Sequence, residues 1–232
     1  MPLNPVILVR HDKSKLNSSG YIQGQTDTPL EPGYRTRIYR LTDIVVREEG
    51  ITPTQVSHIY IFCSDIGRTY HTGDRIHRRL LDKHNIKSEL RFTELLNERG
   101  QGVLEEVRYE EALPRLSTDP NLSPDAETIY GFLYLSNNVP NGERHEIVKS
   151  RLEQFVRDYI HQLHGIGIIS AHSISGMNYL NNILINGDML SQPYQHYPNL
   201  SVVSLSLDPQ NLPRYMETRY YGAPIHKDNW TR

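Results

Sequence analysis

The sequence predicts an α/β fold, a three-layer α/β/α sandwich around a mostly parallel sheet, and three observations carry that prediction. Short unbroken apolar runs recur along the chain, as they do in strands buried on both faces. Between them lie stretches whose apolar residues fall at helical spacing. Several runs end abruptly in polar or charged residues, the pattern expected at the carboxyl edge of such a sheet.

In chain order, Pro5 to Val9 reads as a buried strand, and Ser18 to Gly33 as a loop punctuated by Gly24, Pro29, Pro32 and Gly33. A helix follows over about Tyr34 to Glu49, with Ile38, Leu41, Ile44 and Val45 on one face and Gly50 ending it. His58 to Cys63 is a second strand, Arg68 to Leu81 a helix, and Lys87 to Phe92 a short third strand. Arg144 to Leu163 is the clearest helix, because Ile147, Val148, Leu152, Phe155, Val156, Tyr159, Ile160 and Leu163 keep the 3.6-residue period. Gly167 to Ser170 reads as a strand, Gly176 to Ile185 as a helix and Ser201 to Leu207 as a last strand. Two stretches lack a clear period. Arg108 to Asn141 holds one helix near Ala126 to Leu135 and is expected to pass over the strand ends where substrate enters. The second is a Pro- and Tyr-rich tail at 209–232.

The chain has 232 residues, 37% hydrophobic and 22% charged, which suits one globular domain over 1–232. A net charge of −2 gives no general reason to expect a nucleic-acid or membrane partner. No apolar run reaches the length of a membrane span, and Met1-Pro2-Leu3-Asn4 lacks a basic region followed by an apolar one. Cys63, the single cysteine, can form no internal disulfide, which suits a cytoplasmic location, and one thiolate argues against a zinc site.

Four strand ends or turns carry what phosphoryl transfer needs. The first gives Arg10 and His11: a guanidinium that binds phosphate oxygens beside an imidazole that can attack phosphorus. The second, Ser64-Asp65-Ile66-Gly67-Arg68, places Arg68 at a helix start, where it and free backbone N–H groups can face one anion. The third places Glu98 in a turn, and the fourth runs into Ala171-His172-Ser173.

These residues, in this order, resemble the histidine phosphatase superfamily, or phosphoglycerate mutase-like family, over about residues 5 to 208. Arg10-His11-Asp12 resembles its Arg-His-Gly signature, and Asn17 and the run Ile22 to Leu30 match the segment after it. Ser64-Asp65 with Arg68 and Thr72, Leu96-Asn97-Glu98-Arg99, Asn141-Gly142-Glu143, Ala171-His172-Ser173 and Pro198-Asn199-Leu200-Ser201-Val202 are similar to its later motifs. The resemblance implies the family's fold and hydrolysis of a phosphomonoester on a small molecule, with no cofactor and no metal. His11 is the implied nucleophile and Glu98 the acid and base; Arg10, Arg68 and His172 would stabilise the transferring group. Asn17 would donate to the phosphoryl group, and Gln23, Gly24 and Ser173 would line the substrate side. A mutase of phosphoglycerate and a weakly catalytic phosphate-binding module are the alternatives.

The chain departs from the pattern at several positions. Asp12, Ser173 and Ile174 stand where glycines are usual, Arg144 where a serine is, and Gln101 where an aromatic is. A carboxylate facing the phosphate would repel it and raise the pKa of His11, so Asp12 is expected to point away, held by a backbone N–H or a basic neighbour. Elsewhere structural roles are expected. Asp27 braces its loop, and Asp65 caps the helix of Arg68 or orients that side chain. His161 and His164 sit at a solvated helix end, and Glu105, Glu106, Glu110 and Glu111 form a solvated helical face. Tyr215, Tyr220, Tyr221 and Trp230 pack the tail against the domain.

Overall fold

The computed structural model describes residues 5–54 and 58–207, together with the backbone of a strand at 215–221. The strands are β1 (Pro5–Arg10), β2 (Ile59–Cys63), β3 (Glu89–Phe92), β4 (Ile166–Ala171), β5 (Val202–Leu207) and β6 (Tyr215–Tyr221). They form one sheet in the order β3-β2-β4-β1-β5-β6. The pairs β3–β2, β2–β4 and β4–β1 are parallel, and β1–β5 and β5–β6 are antiparallel. β6 corrects the reading of the tail as patternless. An edge strand pairs through its backbone and buries little, so it leaves a weak trace in the sequence. Trp230 lies outside the described residues, as do the side chains of Tyr215, Tyr220 and Tyr221.

Strand alternation builds the two cores. Val6 and Leu8 of β1, Phe62 of β2 and Ile169 of β4 face one apolar cluster. Ile7 and Val9, Ile59 and Ile61, and Ile166 and Ile168 face the other. The second cluster is closed by α2 (Tyr34–Glu48) and α3 (Gly67–His84), through Ile38, Leu41, Val45, Ile76 and Leu80. Asp43 of α2 ties the two helices together by accepting from Arg79, Lys83 and His84 at 2.7–2.8 Å. Those partners outweigh its partial burial and hold its carboxyl well below the usual range.

The first cluster is closed by α4 (Tyr109–Leu116), α5 (Ala126–Leu135), α6 (His145–Phe155) and α7 (Asn181–Asn186). A four-residue α1 (Lys15–Ser18) lies in the first loop. α5 falls where the sequence puts it. α4 does not: Pro114 lies inside it, and its eight residues hold by burying Tyr109, Ala112 and Leu113. The helix expected over 144–163 is α-helical only to Phe155 and continues as a π-turn over Val156–Ile160. The helix after β4 begins at Ser173, earlier than its apolar spacing indicates, as a π-helix over Ser173–Leu180. Its first turn packs against the strand it leaves. A Cβ on Gly176 would stand 2.4 Å from that of Ala171, so only glycine fits. No helix among the described residues is long and apolar enough to cross a membrane.

Candidate active site

The site grows from the register of two strands. Arg10 pairs with Ala171 at the carboxyl ends of β1 and β4, and His11 N–H continues the ladder to the Ala171 carbonyl at 2.9 Å. His11 and His172 are therefore neighbours, with ring centroids 5.3 Å apart. The helix after β1 covers one face of the sheet and the helix after β4 covers the other. The chain thus opens a crevice between these strands, the place where α/β sheets bind ligands.

The crevice is built to hold His11 neutral. Burial first, then the charges of Arg68 and Arg10, push its pKa well below the ordinary histidine value. Its Nδ1 lies 2.7 Å from the Asp12 carbonyl, an acceptor only, so Nδ1 carries the proton and Nε2 keeps its lone pair. The backbone is pinned as well, since the Asn199 amide donates to the His11 carbonyl at 3.0 Å. That contact gives the Pro-Asn-Leu-Ser-Val run a physical role.

Around the imidazole stand buried polar atoms without partners: Arg10 Nε, Arg68 Nε and His172 Nδ1. The rest of each group is anchored. Arg10 donates Nη1 to the Tyr197 carbonyl. Arg68 donates to the carbonyls of Gly24 and Thr26 at 2.6 and 2.7 Å. His172 Nε2 lies 2.9 Å from the Ser64 hydroxyl. His172 is also held well below the ordinary histidine value, by burial and then by Arg68, so its imidazole is neutral. Unmet donors of this kind are costly to bury unless a ligand satisfies them, and a phosphoryl group would.

Glu98 is 4% exposed and faces Arg68 across this centre. Its carboxylate accepts from the backbone N–H of Arg99, Ser175 and Ile174 at 2.9, 2.8 and 3.1 Å. The last two belong to the first turn of the helix after His172, so Glu98 satisfies the free N–H groups of a helix start. The Ile174 N–H is therefore spent on Glu98. Arg99 is 1% exposed and meets no carboxylate among the described residues. It donates to the carbonyls of Glu143, Leu133 and Ser136, fastening the end of α5 to the turn that carries Glu98. Glu143 in turn holds Arg151 through both oxygens, at 2.8 and 3.0 Å.

The four expected substrate contacts differ. Asn17 closes a capping box with Ser14, its amide oxygen accepting from the Ser14 N–H at 3.3 Å and its own N–H donating to Ser14 Oγ at 3.2 Å, and it borders the cleft. Gln23 is occupied at both ends, by Ser14 Oγ at 2.8 Å and Thr28 Oγ1 at 2.6 Å, so it shapes the loop. Gly24 sits at φ +51° with its carbonyl on Arg68, and a Cβ there would collide with Glu105. Ser173 Oγ lies 3.5 Å from Tyr194 Oη. An open cleft of about 570 Å³ reaches Arg10, bordered by Asp12, Lys13, Asn17, Tyr109, His196 and Asn199 among others.

Asp12 is held by the Lys13 N–H at 2.7 Å and by Arg37 Nε and Nη2, both at 2.9 Å. Burial alone would raise its pKa further; these partners oppose that rise without cancelling it. Arg37, on α2, carries no signal in the sequence that links it to position 12.

Two expectations are corrected. Asp65 does not cap α3: the N-cap residue is Ile66, and the cap comes from Asp27, whose carboxylate takes the Gly67 N–H at 2.9 Å. Asp65 and Arg68 form no ion pair among the described residues. Glu105 is no part of a solvated face, since it accepts from the N–H groups of Gln25, Thr26 and Gln101 at 2.8–3.0 Å and stiffens the loop on which Arg68 leans. His161 and His164 are exposed, and no cluster of three metal-binding side chains occurs among the described residues. Tyr109, Tyr130, Tyr194 and His196 also come close to Arg10, and nothing in the sequence marked them as site residues.

Solved structures with this fold include a mycobacterial glucosyl-3-phosphoglycerate phosphatase in complex with VO3, at TM-score 0.70 and 17% identity over 94% of this chain and 98% of that one. Mycobacterial hydrolase 1 matches at TM-score 0.66 and 17% identity, over 94% and 96%. An Escherichia coli K-12 protein described as a candidate α-ribazole-5'-P phosphatase matches at 0.65 and 18%, over 94% and 96%. No curated protein sequence matches. The family model of the Histidine phosphatase superfamily (branch 1) matches residues 6–214, and with the motifs seated along one sheet edge the chain belongs to that superfamily.

Proposed function

We propose that this protein hydrolyses a phosphomonoester of a small molecule through a phosphohistidine on His11, without a metal. The observation that carries this reading is the set of unpartnered buried polar atoms, the donors Arg10 Nε and Arg68 Nε together with His172 Nδ1, gathered about an imidazole with a free Nε2. His11 Nε2 attacks phosphorus, and the bond to the leaving oxygen breaks. Arg10 and Arg68 take up charge on the equatorial oxygens, with the neutral His172 ring beside them. Glu98 protonates the leaving alkoxide, then takes a proton from the water that hydrolyses the P–N bond. Membership of the superfamily supports phosphatase-type activity. Two of the fold neighbours carry phosphatase names, but their substrates are not carried over at 17–18% identity.

The mutase alternative needs cations to hold a second phosphate. Between 108 and 141 the cations are Arg108 and Arg115; the first leans on the Tyr21 ring and hydroxyl, and both are solvent-exposed. The phosphate-binding module rests on Asp12 and Ser173, and the charge of Asp12 is matched by Arg37. Para-nitrophenyl phosphate and 3-phosphoglycerate, each offered with excess chelator, test the reading. The expected products are phosphate with nitrophenol, and phosphate with glycerate. Formation of 2-phosphoglycerate would favour the mutase, turnover that needs a restored divalent ion would overturn the metal-free mechanism, and binding without turnover would favour the module.

A further inference from the structure

The turn that carries Glu98 is gripped from two sides. On one side the carboxylate is pinned by the backbone N–H groups of Ile174 and Ser175. On the other the main chain is pinned by Arg151, a residue of α6. Arg151 follows Val148 by one helical turn and directly precedes Leu152, both buried, so helical spacing sets it at the border of the buried face. Its guanidinium serves three groups at once. Nη1 donates to the Leu95 carbonyl at 2.8 Å, and Nη2 reaches the Glu98 carbonyl at 3.4 Å. Nε and Nη2 donate to the two carboxylate oxygens of Glu143 at 2.8 and 3.0 Å.

Glu143 returns to the same turn. Its Oε2 accepts from the Gly100 N–H at 3.2 Å, and its own N–H donates to the Gly100 carbonyl at 2.9 Å. Gln25 Nε2 adds a donor to the Glu98 carbonyl at 3.1 Å. The side chains of Arg151 and Glu143 are 13% and 14% exposed, so salt and water screen the pair little. Only an arginine offers a planar fork that can hold a carboxylate and two carbonyls together; a lysine is a point charge on a flexible stem. α6 is anchored in the core by Val148, Leu152 and Phe155, so the fork of Arg151 serves the turn rather than the helix. A carboxyl that must hand a proton to a leaving oxygen needs its main chain fixed. A misplacement of about 1 Å, caused far from the chemistry, can cost about a hundredfold in rate.

We propose that Arg151, braced by Glu143, is a positioning residue for proton transfer, fixing the turn so that the Glu98 carboxyl meets the leaving oxygen. This rests on the phosphatase reading and deepens it. Proton delivery matters most for weakly acidic leaving groups. A series of substituted phenyl phosphates, from para-nitrophenyl to unsubstituted phenyl, therefore separates it from phosphate binding. Arg151→Met should lower kcat/KM for phenyl phosphate by about tenfold or more and leave para-nitrophenyl phosphate within about threefold. Arg151→Lys and Glu143→Gln are milder changes that should tilt the series the same way, and they carry the test if the Met variant does not fold. Glu98→Gln should give the larger form of the effect, about a hundredfold on phenyl phosphate. Adding Arg151→Met to it should cost no more than about twofold, because the group that Arg151 positions is already disabled. Equal losses on every ester, or a full further loss in the Glu98→Gln background, overturn the proposal. The charge of Arg151 also reaches His172, and an effect by that route would fall on all esters alike. A Glu98→Gln enzyme with the parent's leaving-group dependence overturns Glu98 as the acid and the proposal with it. A parent that hydrolyses none of the esters overturns the phosphatase reading itself.

Discussion

The inner ring of the site and its roof are built on opposite principles. In the ring, Arg10, His11 and His172 sit at or just beyond strand ends, Arg68 at a helix start and Glu98 in the turn after β3, and hydrogen bonds to backbone groups hold His11, Arg68 and Glu98 in place. His11 is held through its N–H and carbonyl by Ala171 and Asn199, and Glu98 through three N–H donors. In the roof, Tyr109, Tyr130 and Tyr194 come from two short helices and a loop, placed by side-chain packing. The ring can therefore keep one chemistry while the roof changes with the segments that form it. Phosphoryl transfer needs fixed donors at fixed distances, whereas leaving-group choice needs only a wall of the right polarity.

Removing a ring cation should have the larger effect. Arg68→Ala deletes one of the proposed phosphate donors and one of the charges that depress the His11 pKa. It should lower kcat/KM for para-nitrophenyl phosphate by about a hundredfold, the scale of losing one transition-state donor. Its pH profile carries a second signature. In the proposed mechanism neutral His11 is the active form, so activity is expected to fall as pH drops through its pKa, and in the parent that acid limb should lie below the ordinary 6.5. Loss of the cation moves the limb to higher pH, toward 6.5 but not past it, because burial remains the first cause of the shift. Comparing parent and variant on one substrate cancels the titration of the phosphate itself. An unmoved limb would break the claim that Arg68 sets the state of the nucleophile.

The smallest effects are expected where charge is already balanced. Asp12→Gly should stay within a few-fold of the parent, because Arg37 and the Lys13 N–H already match the carboxylate. Arg37→Ala should cost about tenfold, since it leaves a buried carboxylate beside the phosphate site. The double variant should recover most of that loss, a coupling that a double-mutant cycle reads directly. A gain of two orders of magnitude in Asp12→Gly alone would mean that the carboxylate opposes substrate in the natural protein.

The same contrast explains what the sequence disclosed. Strand ends that read Val9-Arg10-His11 and Ser170-Ala171-His172 join a strong apolar period to the reactive residue, so both fold and chemistry could be read there. The sheet, its two cores and the expected α5 match the structure, and the superfamily reading is carried by the match over 6–214. What escaped depends on contacts distant in sequence. Asp27 caps a helix 40 residues away, Arg37 neutralises Asp12 across 25 residues, and Glu105 binds a loop about 80 residues before it. No local period announces such pairs. α4 was hidden by Pro114, the π-turns by apolar spacing that suits either helix type, and β6 by its place at the sheet edge. The tyrosines were hidden because an isolated Tyr reads first as core.

The central claim is that His11 carries the phosphoryl group between the two halves of the reaction. Acid would hydrolyse a phosphohistidine, so the enzyme should be mixed with labelled substrate, stopped within milliseconds in base, and mapped by peptide mass spectrometry. The account predicts base-stable, acid-labile phosphate on the peptide containing His11, absent from a His11→Ala variant that has also lost turnover. Phosphate on any other residue, or a His11→Ala protein that still turns over substrate at the parent rate, would contradict it.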